Sequence, residues 1–158
     1  MSSILKNQRA TVLIIDDDEQ IRNLLVDGLS RHYSCRAVGS AEDELATLSA
    51  DALDLVISDI DVTGMSGIEL VRRLHSLVPD TVVVMISGQQ STQTAIEAMS
   101  VGAFDYVTKP LDLRHVEAAV ERALAYRNLL KEKQQYKEEL EHLLEERSAE
   151  VDRLAYYD

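Results

Sequence analysis

The sequence predicts an α/β protein built on a parallel sheet of about five strands with helices on both faces. Three observations lead there. Short, continuously apolar, β-branched runs recur through the first 122 residues, as strands buried on both faces require. Segments of helical period separate them. Beyond Ala123 the chain holds no Gly or Pro and reads as one prolonged last helix.

The first strand is Val12–Ile15, closed by Asp16, Asp17 and Asp18. Asp18 reads as the cap of a helix whose apolar positions are Ile21, Leu24, Leu25 and Leu29. A weaker strand, Ser34–Val38, carries the single cysteine, Cys35, expected as a small core residue. Ser40 with Asp43 has the pattern of a capping box. A third strand, Leu53–Ile57, runs into Ser58 and Asp59. Ser66 with Glu69 opens a helix with Ile68, Val71 and Leu74 on one face. Val82–Ile86 is the fourth strand, followed by Ser87 and Gly88. Ala95, Ile96 and Met99 mark the next helix, and Phe104–Val107 the fifth strand, which leads to Thr108, Lys109 and Pro110. Asp112 can cap the last helix, which carries Leu113, Val116 and Val120.

With Ala123 at heptad position a, Leu130, Lys137, Leu144 and Val151 follow at a, and Tyr126, Lys133, Leu140, Arg147 and Leu154 fall at d. Three of these seam positions are charged, which weakens a coiled coil, whereas Leu140, Leu144, Val151 and Leu154 support one. A helix this polar gains little by folding alone, so a dimer-forming helix is expected. The chain therefore divides into an N-terminal extension at 1–10, a domain at 11–125 and a helical linker at 126–158.

Composition narrows the function. A net charge of −12 argues against nucleic-acid binding through this chain. The first ten residues lack an apolar signal core, and the run Val82–Ile86 is far too short to cross a bilayer. One cysteine permits no internal disulfide. A cytoplasmic protein without membrane contact is expected. His32, His75, His115 and His142 lack metal-ligand spacing and read as surface groups.

In an open parallel sheet, ligands bind beyond the C-terminal strand ends. Asp16 and Asp17, Asp59, Ser87 and Lys109 all fall there, on four different strands. Singly, each has an ordinary structural explanation as a cap, a turn or a surface lysine. Together they make a coherent chemistry. Three close carboxylates repel unless a cation neutralises them, and a hard divalent ion such as Mg²⁺ takes oxygen ligands. Asp59 can then act as a nucleophile on phosphorus. Phosphoryl transfer needs positioning and charge neutralisation, which the metal and Lys109 would supply. Ser87 can donate to a phosphoryl oxygen. Gly64, Gly67 and Gly88 would let backbone N–H groups approach the anion.

Ile14-Ile15-Asp16-Asp17-Asp18, Ser58-Asp59, Ile86-Ser87-Gly88 and Tyr106-Val107-Thr108-Lys109-Pro110 together resemble the receiver domains of bacterial two-component response regulators. The resemblance covers roughly residues 10–125. It implies a doubly wound (βα)5 fold of flavodoxin-like, CheY-like type. It implies Mg²⁺ held by Asp17 and Asp59, by Asp16, and by the backbone carbonyl of Asp61. A sensor histidine kinase or a phosphotransfer protein would phosphorylate Asp59. The Lys109–Pro110 peptide would be cis, and Ser87 and Tyr106 would form a switch pair. That switch would repack the face of the family's fourth helix, fifth strand and fifth helix, where such domains dimerise. Thr63 departs from the family's usual proline. Asp61 adds a carboxylate beside the acceptor, and with Gln89 it is expected to set the phosphoryl lifetime.

Glu145–Val151 and Leu154–Asp158 resemble the helix leading into diguanylate cyclase domains, so a following output domain is expected, although this part is not itself an enzyme. Two rivals share some of the residues. Asp59-Ile60-Asp61-Val62-Thr63 resembles the opening motif of haloacid-dehalogenase-type phosphatases, but there the nucleophile lies on the first strand and the acid pair comes late. A receiver-like scaffold that takes no phosphate would usually lack one of the acids or the lysine.

Overall fold

The computed structural model describes residues 9–40, 53–60, 65–88 and 92–156. Its elements are β1 (Thr11–Ile15), α1 (Glu19–Leu29), β2 (Ser34–Val38), β3 (Leu55–Asp59), α2 (Gly67–Leu77), β4 (Val82–Ser87), α3 (Thr92–Ser100), β5 (Asp105–Thr108) and α4 (Leu113–Tyr156). The strands form one sheet in the order β2-β1-β3-β4-β5, and every pairing is parallel. From β1 the order runs one way to β2 and the other way to β3. That reversal opens a crevice at the C-terminal strand ends, the usual place for a ligand in such sheets.

Alternation along the strands builds two cores. Leu13, Ile15, Val56, Val83 and Met85 face one side and pack with Leu70, Val71 and Leu74 of α2 and Ala95 and Ala98 of α3. Val12, Ile14, Leu55, Ile57, Val84 and Ile86 face the other and pack with Leu25 and Leu29 of α1 and Val116, Ala119 and Val120 of α4. Each buried Leu, Ile or Val side chain contributes about 1.5–3 kcal/mol by leaving water. Strands β3 and β4 are buried at every residue. Continuous apolar runs were the signal for them. β2 sits at the sheet edge and is at most half-buried, which explains its weak signature; Cys35 there lies half-buried against the second core.

Caps fall where expected. Asp18 accepts from the Gln20 N–H, Ser66 from Glu69 N–H at 3.2 Å and Asp112 from Arg114 N–H at 2.9 Å, each relieving an orphan donor. The Glu69 side chain does not complete its box; it pairs with Arg73 one turn on. The Ser40–Asp43 box lies outside the described residues because Asp43 does.

Two expectations need correction, and a third gains a further reason. Leu24 and Ile96 are exposed rather than core; the real faces are Leu25 with Leu29 and Ala95 with Ala98. β3 is displaced two residues from the expected Leu53–Ile57. The Thr11 N–H goes to the Asp54 carboxylate and the Asp54 N–H to the Thr11 carbonyl, and the ladder proper starts at Leu55 and continues to Asp59. Gly67 also has a packing role. A Cβ there would meet Ile60 Cγ1 at 2.6 Å and the Ile60 carbonyl oxygen at 2.9 Å, so only glycine lets α2 start against β3.

The chain forms two compact units, Met1–Ala125 and Tyr126–Asp158. In the second, α4 continues as a helix to Tyr156. No helix among the described residues is long and apolar enough to cross a membrane.

Candidate functional site

Two strand ends, those of β1 and β3, bring together the carboxylates of Asp16, Asp17 and Asp59, whose nearest oxygens all lie within 4.8 Å of one another. Asp16 is fully buried, Asp59 nearly so and Asp17 exposed. The sheet fixes Asp16 through its own N–H to the Val38 carbonyl, 3.1 Å. One Asp16 oxygen accepts the Asp18 N–H at 2.8 Å, and the other, Oδ2, is buried with no hydrogen-bond partner. Asp59 ends β3, and the next residue, Ile60, donates its N–H to the Ile86 carbonyl.

From β5, Lys109 Nζ donates to Asp59 Oδ2 at 2.8 Å. Its backbone N–H is tied to the Ser87 carbonyl at 2.8 Å, which holds the two strand ends together. The Lys109–Pro110 peptide is cis, as expected. Ser87 is fully buried, and its hydroxyl also lacks a partner. A buried polar atom left unpaired costs about 1–3 kcal/mol. Both residues, Asp16 and Ser87, lie at the C-terminal edge of the sheet, the usual ligand side in such folds.

The electrostatics agree. Burial pushes Asp16 up to about 6, the Asp18 N–H opposes this, and the nearby Asp59 charge adds to it. Burial works against the Lys109 ammonium, but the hydrogen bond and charge of Asp59 outweigh it and raise the lysine above its ordinary value. The Lys109 ammonium lies against this carboxylate cluster, and a hard divalent cation with oxygen-seeking chemistry could be held there as well. The site thus has the composition of a hard-metal centre with a lysine beside one ligand.

Tyr106 on β5 is partly buried against the α2–α3 core. Next to it a cleft of about 470 Å³ runs between β5 and the start of α4, lined by Tyr106, Thr108, His115, Ala118 and Arg122 among others. Arg122 closes one side by pairing with Asp105 at 3.0 Å. Asp61, Gly64 and Gln89 lie outside the described residues. The four histidines form no cluster; His75 Nε2 lies 3.2 Å from the Gly102 carbonyl oxygen.

One participant was not anticipated from the sequence. Arg22, on α1, donates from Nη1 to the Asp16 carbonyl oxygen at 2.7 Å. A Cβ at Gly39 would stand 3.1 Å from that same Nη1. Arg22 and β2 therefore hold the Asp16 backbone from two directions. The available signal was a basic residue in the second turn of the helix that follows the acid pair.

A doubly wound sheet with an acid cluster and a lysine at its switch point defines a phosphoryl- or nucleotide-handling class of α/β protein. The comparisons narrow this. The response regulator receiver domain profile matches residues 12–121. The chain is 35% identical over 116 residues to the DNA-binding transcriptional regulator NtrC of Azospirillum brasilense, covering 73% of this chain and 24% of that one. It is 36% identical over 121 residues to the response regulator protein PilR of Pseudomonas aeruginosa, covering 76% and 27%. Among solved structures, a response regulator receiver domain protein from Clostridium thermocellum superposes with a TM-score of 0.72 at 27% identity, covering 77% of this chain and 98% of that one. NtrX from Brucella abortus, in complex with ADP, gives 0.74 at 33% identity, covering 79% and 29%. This chain belongs to the response regulator receiver domain family, and its fold is the CheY-like one. It spans about a quarter of the length of the curated relatives it matches.

Proposed function

We propose that residues 11–125 are a phosphoryl-accepting receiver domain in which Asp59 takes the phosphoryl group. The carrying observation is Lys109 Nζ at 2.8 Å from Asp59 Oδ2, inside a carboxylate cluster that also holds a buried, unpartnered oxygen of Asp16. An Asp59 oxygen attacks phosphorus while the bond from phosphorus to the donor breaks. The donor is a phosphohistidine of a sensor histidine kinase or a phosphotransfer protein. Its imidazole leaves with the bonding electrons and is reprotonated from water.

Asp16, Asp17 and Asp59 fit a magnesium ion, with the backbone carbonyl of Asp61 as a further expected ligand. The bound ion would neutralise phosphoryl and carboxylate charge. Lys109 balances the charge on the transferred group and orients it against Asp59. The Ser87 hydroxyl donates to a phosphoryl oxygen and so gains the partner it lacks. That movement leaves room for Tyr106 to turn inward, and the α3–β5–α4 face with its cleft is repacked. Asp61 and Gln89 govern access of hydrolytic water. The unit assists its own phosphorylation but does not turn over as an enzyme.

The relatives, a DNA-binding transcriptional regulator and a response regulator protein, are each about four times as long as the matched region, so the unit is read as the cytoplasmic input module of a larger regulator. The tail motif favours a diguanylate cyclase or related output. Residues 126–158 act as the linker, pairing with a second copy as a coiled coil and passing on the state of the receiver.

Intact-protein mass spectrometry after incubation with acetyl phosphate and Mg²⁺ tests the acceptor. One added phosphoryl group is expected, absent in Asp59→Asn and absent without the metal. No gain under conditions that preserve acyl phosphates would leave a receiver-like scaffold. Turnover of a phosphate monoester would instead point to phosphatase chemistry.

A further inference from the structure

The geometry of the tail helix points to antiparallel pairing with a second copy of this chain, centred between Glu138 and Glu139. We propose this as the arrangement of the helix; it rests on the linker-pairing reading above and adds direction and register.

The first observation is an uncovered apolar stripe. Every exposed large apolar side chain recorded from Tyr126 onward falls at heptad position a, d or g, including Leu130, Leu140, Leu144 and Leu154. A single helix cannot cover such a face with its own atoms, and one this polar is marginal in isolation.

The second observation is what lies between the apolar residues. Lys133, Lys137 and Arg147 occupy seam positions, and no acid does. Parallel in-register pairing sets each of them against its own copy, so that three like-charge contacts fall in the seam. In an antiparallel pair, position a faces position d of the other helix. Centred between Glu138 and Glu139, Lys133 then faces Leu144, Lys137 faces Leu140, and Arg147 faces Leu130 of the second copy. All three basic residues meet leucine. Their aliphatic stems cover the apolar surface while the charged heads reach the rim. Tyr126 faces Val151 in the same register.

The third observation is the charge polarity of the helix. Leaving out the buried Arg127, residues 128–137 hold three basic residues and one acid, a net +2, while residues 138–152 hold seven acids and one arginine, a net −6. Parallel pairing sets the acidic halves together. Antiparallel pairing sets each acidic half along a basic one, and complementary charge fixes partner orientation.

The test uses the full chain in a Cys35→Ser background, with spin labels at the outward positions Asn128 or His142. At 1.5 Å per residue, antiparallel pairing separates the two Asn128 labels by about 30 Å along the axis and the two His142 labels by about 10 Å. The Asn128 distance is therefore expected to be clearly the longer. Equal distances at the two sites mean parallel helices and overturn the proposal. A disulfide experiment gives an independent reading. A mixture of Lys133→Cys and Leu144→Cys chains is expected to cross-link between the two variants, while Leu144→Cys alone does not; efficient cross-linking of Leu144→Cys alone overturns the proposal. Sedimentation showing a single copy at all concentrations would remove linker pairing itself, an outcome distinct from pairing in the wrong direction.

Discussion

Leu70 and Leu144 are the same residue on two helices, and they live in opposite circumstances. Leu70 is fully buried between α2 and the sheet, whereas Leu144 is 66% exposed. The receiver unit closes its own cores because its strands and helices come from distant parts of the sequence and meet face to face. Among the described residues the tail unit has one element and no second layer. Apolar residues therefore mean different things in the two: in the first they specify a fold, and in the second they specify a demand for a partner. The polar groups divide along the same line, with buried carboxylates and a lysine gathered at the sheet edge and an exposed apolar stripe on the tail.

The strongest way to break this comparison is to truncate the two leucines. Leu70→Ala is expected to destabilise the chain by about 3 kcal/mol, and the loss should be independent of protein concentration in urea titrations monitored by circular dichroism. An unchanged urea midpoint would mean that the receiver core does not depend on α2 packing. Next comes Lys109→Met, which removes the ammonium that donates to Asp59. Phosphoryl incorporation from acetyl phosphate should slow about 100-fold, as when one transition-state donor is lost, with the secondary structure intact. A rate within twofold of the parent would sink the role given to Lys109.

A third effect is slightly smaller and depends on pH. Asp16 sits at about 6 in the fold, against 3.8 as its ordinary value. The folded chain thus holds this proton more tightly than the unfolded chain. Asp16 costs nothing below about pH 4, its cost grows as pH rises between 4 and 6, and it is fully present above 6. The non-ionising Asp16→Asn should stabilise the metal-free protein by about 2 kcal/mol at pH 7.5 and by nothing at pH 4. Thermal unfolding at the two pH values, in chelator, measures it; equal shifts at both would show that ionisation is not the cause. The smallest effect is Leu144→Ala, about 1 kcal/mol and visible only where the chain associates. Sedimentation across a dilution series should show weaker association with phosphoryl incorporation unchanged. Loss of incorporation would mean that the tail reaches the acceptor chemistry after all.

Much of the site was legible because the chemistry demands rare residues at strand ends. Asp16, Asp17, Asp59, Ser87 and Lys109 follow apolar runs, and a parallel sheet sends all such ends to one edge. The runs themselves were legible wherever burial is two-sided, as in β3 and β4. Legibility failed where the deciding contact lies far away in sequence. Leu24 has the helical period of a core residue, yet no element of the described structure covers it. Gly67 stands near an anion site in the sequence, and its packing against the Ile60 carbonyl was not visible there. Arg22 looks like a surface residue of an amphipathic helix until the end of β2 supplies Gly39 and the Asp16 carbonyl beside it.

The strand order carries one more consequence, for the life of the chain before it is complete. Asp59 and Lys109 are 50 residues apart, and β5, which delivers the lysine, docks on β4 at the far edge of the sheet from β2. During synthesis at roughly 5–20 residues per second, the acids are made first and wait several seconds for their cation. A ribosome-bound fragment that stops short of β5 holds the acceptor without the group that balances its charge. If Asp59 takes phosphate as proposed, such a fragment would be a poor acceptor, and a responsive molecule would exist only once the last strand has been added.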